Sequence, residues 1–65
     1  MPEPEDLDYT VEIWSEGFGR IDRVLARCAR VDIAWGAYGA AQAAFPDENL
    51  SLRHKTRIVS EQKVR

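Results

Sequence analysis

The chain has 65 residues, of which 31% are charged, and its net charge is −2. A chain of this length allows one domain near the lower limit for independent folding, and one cysteine with one histidine excludes both a disulfide framework and zinc-ligand spacing. The acidic N-terminus and the lack of roughly 20 consecutive apolar residues predict a soluble, cytoplasmic protein without a secretory signal or a membrane span.

Charge is distributed unevenly along the chain. Residues 1–19 contain six acidic and no basic side chains, whereas residues 20–65 contain nine basic and five acidic ones. The first eight residues, MPEPEDLD, combine two prolines and four acids with one leucine, which bury too little apolar surface to offset the entropy of ordering. We therefore expect a disordered acidic arm at residues 1–8, a single domain at 9–60 and a frayed tail at 61–65.

The first predicted element is a strand at residues 9–14. The sequence YTVEIW alternates and is rich in β-branched and aromatic residues, with Tyr9, Val11 and Ile13 on one side. Residues 15–19, SEGFG, contain two glycines and are typical of a hairpin loop.

Residues 20–29, RIDRVLARCA, fit two templates. A helix would place four apolar residues on one stripe: Ile21, Val24, Leu25 and Cys28. We favour a strand, because a hairpin loop needs a second strand to return along. Strict alternation then directs Val24, Ala26 and Cys28 toward the core and the other residues to the opposite face. Those other residues are Ile21, Arg23, Leu25 and Arg27.

A helix is predicted to begin near residues 30–32 and to end at Phe45, before Pro46. Asp32 lies in its first turn, where an acid interacts favourably with the positive end of the helix dipole. Residues 50–60, LSLRHKTRIVS, alternate again and predict one further strand. The resulting fold class is a small two-layer α+β unit, ββαβ, with a three-stranded sheet of order 2-1-3 and the helix on one face.

Several runs of the chain resemble a group of short uncharacterised bacterial and phage proteins. These runs are VEIW, then VLARCARVDIAWGAYGAA, then LSLRHKTRIV after an F-P turn, and the resemblance as a whole extends over residues 9–59. The resemblance implies the ββαβ order and no established activity.

The predicted helix carries no charge from Ile33 to Pro46. A helix that is apolar all round has to be covered on every side. At about 100° per residue, its predicted core side comprises Ile33, Ala37, Ala40, Ala41 and Ala44, with Ala34, Tyr38 and Phe45 on its flanks. The opposite side, which we predict to bind a partner, comprises Trp35, Gly36, Gly39, Gln42 and Ala43. The alternative is that Trp35 folds back over the edge of the domain and the glycines are merely tolerated.

The sheet face away from the helix is the rival surface. On the predicted strand phases it gathers one aromatic and five basic side chains: Trp14, Arg23, Arg27, Arg53, Lys55 and Arg57. Such a face could bind single-stranded nucleic acid through phosphate contacts and base stacking. The alternative is a solvated antiparallel face with mixed charges, because Glu12 and the acidic arm oppose an anionic ligand.

Catalytic chemistry finds little support in the sequence. His54 could pair with Cys28 or with an acid, but a lone histidine on an inner strand face is typical of a structural residue. No phosphate loop, metal cluster or nucleophile motif is recognisable. We therefore predict a non-enzymatic protein without a cofactor or a metal. Its expected role is a protein–protein interaction module, either a homodimer or a docking subunit that acts as an adaptor or inhibitor of a larger bacterial or phage complex. Nucleic-acid binding is the alternative.

Overall fold

The computed structural model describes residues 7–64. In chain order the elements are β1 (Tyr9–Trp14), a 3₁₀ turn (Glu16–Phe18), β2 (Ile21–Cys28), α1 (Val31–Ala44), β3 (Asn49–His54) and β4 (Arg57–Gln62). The predicted first hairpin and the helix are confirmed, and residues 21–28 form a strand and not a helix. The predicted acidic arm lies largely outside the described residues.

The strands form one antiparallel sheet of order β2-β1-β3-β4. The prediction of a three-stranded ββαβ fold is therefore wrong, and the fold is ββαββ. β1 lies between β2 and β3, as the predicted order 2-1-3 requires, and β4 adds a fourth strand on the outer side of β3. The protein remains a small α+β unit with one helix.

The missed feature is a tight turn between β3 and β4. His54 and Arg57 face each other across the new hairpin, which leaves only Lys55 and Thr56 in the turn. Lys55 adopts a left-handed backbone with a φ of 56°, and its N–H donates a 2.8 Å hydrogen bond to the Asp8 carbonyl. Residues 54–57, HKTR, contain none of the glycine, asparagine or proline residues that normally mark such a turn.

The end of β4 is tied to the loop that follows the helix. The Gln62 side-chain amide donates hydrogen bonds to the carbonyls of Phe45, at 3.1 Å, and Glu48, at 2.9 Å. The Phe45 carbonyl, at the C-cap of α1, also accepts a 3.3 Å hydrogen bond from the Glu48 N–H, so the Gln62 side chain joins β4 to an already hydrogen-bonded turn. Residues 61 and 62 thus belong to a strand, although the predicted domain ended at residue 60.

The core lies between α1 and the three strands that the helix covers, β1, β2 and β3. Its eight buried residues are Val11, Ile13, Cys28, Ala34, Tyr38, Ala41, Leu50 and Leu52. Alternation places the inward residues of β1 and β3 directly opposite one another, Val11 with Leu52 and Ile13 with Leu50. Small helix residues let α1 lie close to this apolar surface.

The β1–β2 pairing contains two register shifts. Each shift leaves one residue of β2 without a direct partner. The residues between the two shifts therefore point to the face opposite to the one that strict alternation predicts. Val24 lies opposite Glu12, away from the helix, and is 42% exposed. Arg23 lies opposite Ile13 on the helix side, and Leu25 packs against the core. The predicted faces of Val24, Arg23 and Leu25 are therefore wrong.

The helix is rotated about its axis relative to the prediction by less than the roughly 100° of one residue, so that the predicted flank with Ala34 and Tyr38 faces the sheet. Its buried residues are Ala34, Tyr38 and Ala41. Three predicted core residues are exposed instead: Ile33, Ala40 and Ala44. The physical reason is that no charged residue marks the solvent side of a charge-free helix. The position of the large Tyr38 ring in the core then sets the orientation.

Candidate functional site

The solvent side of α1 carries no charged side chain from Ile33 to its end. We name this surface the outer helix face and define it by six exposed residues: Ile33, Trp35, Gly36, Gly39, Ala40 and Ala43. Ile33 is 57% exposed and Trp35 is 45% exposed. Of the predicted partner-binding residues, Trp35, Gly36, Gly39 and Ala43 lie together here, and Gln42 is half-buried at its margin. Contiguous apolar surface of this kind is typical of interaction sites.

Trp35 is held in place by the core. Its ring contacts the ring of the buried Tyr38 edge-on, with 5.9 Å between the ring centroids. Trp35 thus packs against the edge of the core, and almost half of its surface remains exposed to solvent. A side chain that is already positioned loses less conformational entropy when a partner covers it.

The two helix glycines are not required by packing among residues 7–64. A Cβ atom built at Gly36 or Gly39 meets no other atom within 4 Å, so neither glycine is needed for close packing inside the domain. Each glycine in a helix interior costs roughly 1 kcal/mol relative to alanine. Two such residues on the exposed side of one helix are explained if another molecule approaches that side closely.

We predict that Gly39→Ala stabilises the isolated chain. Because the new methyl group enters open space, we expect the free energy of unfolding to rise by about 0.5–1 kcal/mol. Urea unfolding followed by circular dichroism at low micromolar concentration measures this change. Gly17→Ala is the matched control and should destabilise the protein, since Gly17 has a φ of 75°. Loss of stability in Gly39→Ala at high dilution would contradict the prediction.

Charged groups lie just beyond the two ends of the outer helix face. At the N-terminal end, Arg30 donates hydrogen bonds to both carboxylate oxygens of Asp32, at 3.0 and 3.3 Å. The Arg30 hydrogen bond, supported by the Ile33 N–H, lowers the pKa of the Asp32 carboxyl below its ordinary value. At the other end, Asp47 is exposed in the turn that follows the helix. The apolar face is therefore bounded by the Arg30–Asp32 ion pair at its start and by an acid after its end.

The sheet face away from the helix, which we call the open sheet face, has a buried polar centre. Glu12 and Ser51 are fully buried on it. Glu12 accepts a 2.9 Å hydrogen bond from Arg53 Nη2 and a 3.4 Å one from the Ser51 hydroxyl, which in turn accepts a 2.8 Å bond from Trp14 Nε1. Phe18 stacks on Trp14, with ring centroids 5.5 Å apart. The centre of this face is thus a neutralised and hydrogen-bonded network.

The predicted nucleic-acid residues are not brought to one face. Trp14, Arg27 and Arg53 lie on the open sheet face, because their strand partners point the same way. Arg57 lies opposite His54 on the helix side, and Lys55 is in the turn. Arg53 is already paired with the buried carboxylate, so the basic platform expected from the sequence is largely dispersed.

Arg23, the sixth of these residues, lines a groove of about 360 Å³ near the C-terminal end of α1. The other lining residues are Ile13, Asp22, Phe45 and Glu48. The groove carries both signs of charge beside two apolar side chains. This arrangement does not favour an anionic ligand.

The proposed pairing of His54 with Cys28 does not occur. Both residues lie opposite Tyr9, on its two sides, so they are separated by two strand spacings or roughly 10 Å. The Tyr9 ring stacks on the imidazole at 4.5 Å, and Cys28 is a buried free thiol. Within residues 7–64, no group of three or more histidine, cysteine or acidic residues could hold a metal ion.

Two residues of the outer helix face, Ile33 and Ala40, were expected in the core. No feature of the sequence could have placed them outside, because the helix pattern is apolar on all sides. In the described part of the chain, α1 is too short to cross a membrane, and no other helix could do so. Comparisons with protein-family models, with curated proteins and with solved structures give no match to this chain.

Proposed function

We propose that the protein is a small, non-catalytic protein-binding module of the cytoplasm that binds its partner through the outer helix face. It would act as a homodimer or as a docking subunit, in the role of an adaptor or an inhibitor of a larger complex. The observation that carries this proposal is the exposed, charge-free side of α1, in a chain of which 31% of the residues are charged.

The composition of the outer helix face supports binding to protein. Tryptophan is one of the residue types enriched at the energetic centres of protein interfaces, and Trp35 lies beside small residues that permit close approach. This surface carries no charged side chain, and the indole N–H of Trp35 is its one side-chain hydrogen-bond donor. Covering it with a protein partner therefore removes apolar area from water without burying a charge.

Nucleic-acid binding by the open sheet face is the weaker proposal. Arg53 is engaged by Glu12, and the indole N–H of Trp14 is engaged by Ser51. Glu61, opposite Ser51, adds another acid to the same face. A steep loss of oligonucleotide affinity with salt would be its signature.

Site-specific photocrosslinking tests the protein-binding proposal. A benzophenone amino acid in place of Trp35 keeps an aromatic side chain on the outer helix face and reacts with whatever covers it. Val59, on the edge strand β4 and similarly exposed at 41%, is the matched control position. After irradiation of producing cells, we expect a protein adduct from position 35 and none from position 59. No adduct from position 35, or equal adducts from both, would contradict the proposal.

A further inference from the structure

We infer that the Trp14 ring on the open sheet face is a binding site for an aromatic side chain of a partner protein, and that Phe18 occupies this site in the free chain. The site lies on the side of the sheet away from α1, so the inference goes beyond the proposed function and does not involve the outer helix face. It is carried by the hydrogen bonds that fix Trp14, by the ring that stacks on it and by the backbone conformation of Phe18.

The Trp14 ring is held in place by a buried network. Its Nε1–H donates a 2.8 Å hydrogen bond to the Ser51 hydroxyl, which donates a 3.4 Å bond to Glu12. Ser51 and Glu12 are fully buried, and Arg53 holds the Glu12 carboxylate. Because the indole N–H lies in the ring plane, these bonds leave the ring faces for stacking. Trp14 therefore loses little conformational entropy when another ring stacks on it.

The ring that stacks on Trp14 shows which chemistry fits the site. The centroid of the Phe18 ring lies 5.5 Å from that of Trp14, and the two ring planes are inclined by 29°. This distance is within the range of favourable aromatic pairs. Both residues are only half-buried. An aromatic ring supplied by another molecule would make the same contact in place of Phe18.

The backbone of Phe18 opposes its contact with Trp14. Phe18 has a φ of 59°, in the left-handed region, and follows Gly17, which has a φ of 75°. A bulky residue in this region costs about as much free energy as an aromatic pair contributes. A Cβ atom built at Gly17 meets no other atom within 4 Å, so the tip of the loop is not closely packed. Moving the Phe18 ring away from Trp14 therefore costs little.

The base of the loop is anchored independently of Phe18. The Ser15 N–H donates a 2.8 Å hydrogen bond to the Arg20 carbonyl, and the Arg20 N–H donates a 3.0 Å bond to the Ser15 hydroxyl. The Ser15 carbonyl accepts a 2.9 Å bond from the Phe18 N–H and a 3.0 Å bond from the Asn49 side-chain amide. When Phe18 moves, this carbonyl keeps the bond from Asn49 and is not left unpaired. The loop tip can thus open while β1 and β2 stay paired.

The charges around the site favour a protein over a nucleic acid. Glu16 is exposed in the same loop, and Glu61 and Lys63 are exposed at the end of β4. Arg20 is paired with Asp22, so these two charges offset each other. The remaining sum is negative and disfavours the phosphate of a nucleotide. An aromatic side chain with basic neighbours therefore fits the site better than a nucleobase does.

The first test is an NMR titration of the ¹⁵N-labelled full chain with N-acetyltyrosinamide, which carries one aromatic side chain and no charge. We expect the Trp14 indole N–H and the Phe18 amide signals to shift, with a dissociation constant on the order of millimolar for so small a probe. The Trp35 indole N–H reports the outer helix face separately. N-acetylleucinamide is the matched probe without a ring and should cause no such shifts.

The second test removes the ring that occupies the site. Phe18→Ala should bind N-acetyltyrosinamide about two- to tenfold more tightly than the wild type, because the closed fraction no longer reduces the apparent affinity. Phe18→Gly, which also tolerates the left-handed backbone, should show the same gain. Phe18→Tyr keeps a ring on Trp14 and is the matched control, with wild-type affinity expected. Circular dichroism verifies that the variants are folded.

The class of ligand is tested with charged probes at low salt. A short peptide with one tyrosine between two lysines should bind more tightly than the same peptide with two glutamates, and more tightly than adenosine monophosphate. Tighter binding of adenosine monophosphate would assign the site to a nucleotide and overturn the inference, and so would the reverse order of the two peptides.

Two further results would also overturn the inference. One is an unchanged Trp14 signal in both Phe18→Ala and Phe18→Gly at probe concentrations of roughly 50 mM, well above a millimolar dissociation constant. The other is equal affinity of the wild type and these two variants, since Phe18 would then not occupy the site. Neither result bears on the photocrosslink at position 35, so this inference and the proposed function can fail separately.

Discussion

Leu52→Ala is expected to unfold most of the protein at room temperature. Leu52 is fully buried at the centre of β3, opposite Val11, and no side chain on the surface can replace the lost volume. Leucine-to-alanine changes at such sites cost about 3–5 kcal/mol. A domain of 65 residues has only about 3–10 kcal/mol of total stability. Circular dichroism and urea titration should show a largely unfolded chain or a midpoint near zero denaturant.

Leu7→Ala is the matched control for this prediction. It removes the same atoms from a leucine that is 48% exposed, and surface changes of this kind stay within about 0.5 kcal/mol. A Leu52→Ala protein with the stability of Leu7→Ala would mean that the core between α1 and β3 is not packed as described.

The second large effect is expected at Glu12. Glu12→Ala removes the buried carboxylate, leaves a cavity and deprives Arg53 and Ser51 of their acceptor. Breaking a buried pair costs about 3–5 kcal/mol. The Arg53 side chain is 30% exposed and can reach water. We therefore expect the free energy of unfolding to fall by about 2–3 kcal/mol, at or below the lower end of that range. Thermal and urea unfolding at neutral pH measure the loss.

The double variant Glu12→Leu with Arg53→Leu tests the physical reason. When both partners are replaced by apolar side chains of similar size, no charge is left without a partner, and much of the stability should return. Arg53→Leu alone should be worse than the double variant, because it leaves a buried carboxylate with only the Ser51 hydroxyl. Additive losses in the double variant would show that the ion pair is not the source of the effect.

The sequence was sufficient for the elements with strong periodicity. YTVEIW alternates and is bounded by a glycine-rich loop, so β1 and the first hairpin were predictable. The second hairpin was not, because Lys55 reverses the chain in a left-handed conformation that glycine or asparagine usually provides. The stretch from Leu50 to Ser60 continued to alternate across this turn and therefore resembled one long strand.

The candidate site could be predicted in part for a different reason. Trp35, Gly36, Gly39 and Ala43 were identified because a charge-free helix in a charged chain needs cover. The orientation of the helix could not be predicted, since an apolar pattern on all sides carries no information about which side faces the sheet. In β2, one bulge reversed the alternation at Val24 and Arg23 before a second bulge restored it, so Arg23 was assigned to the wrong face. Bulges depend on tertiary packing, and the β2 sequence IDRVLARC contains no local signal that predicts them.

The interior position of β1 has a consequence for the order in which the protein folds. Each hairpin, β1 with β2 and β3 with β4, joins residues close in sequence, but the pairing of β1 with β3 joins Tyr9 to His54 and spans most of the chain. Closing this large loop carries an entropic cost before the contacts form. We expect the pairing of β1 with β3 to be the rate-limiting step of folding. The two hairpins then form early, and they pair with each other only when α1 packs across β1 and β3.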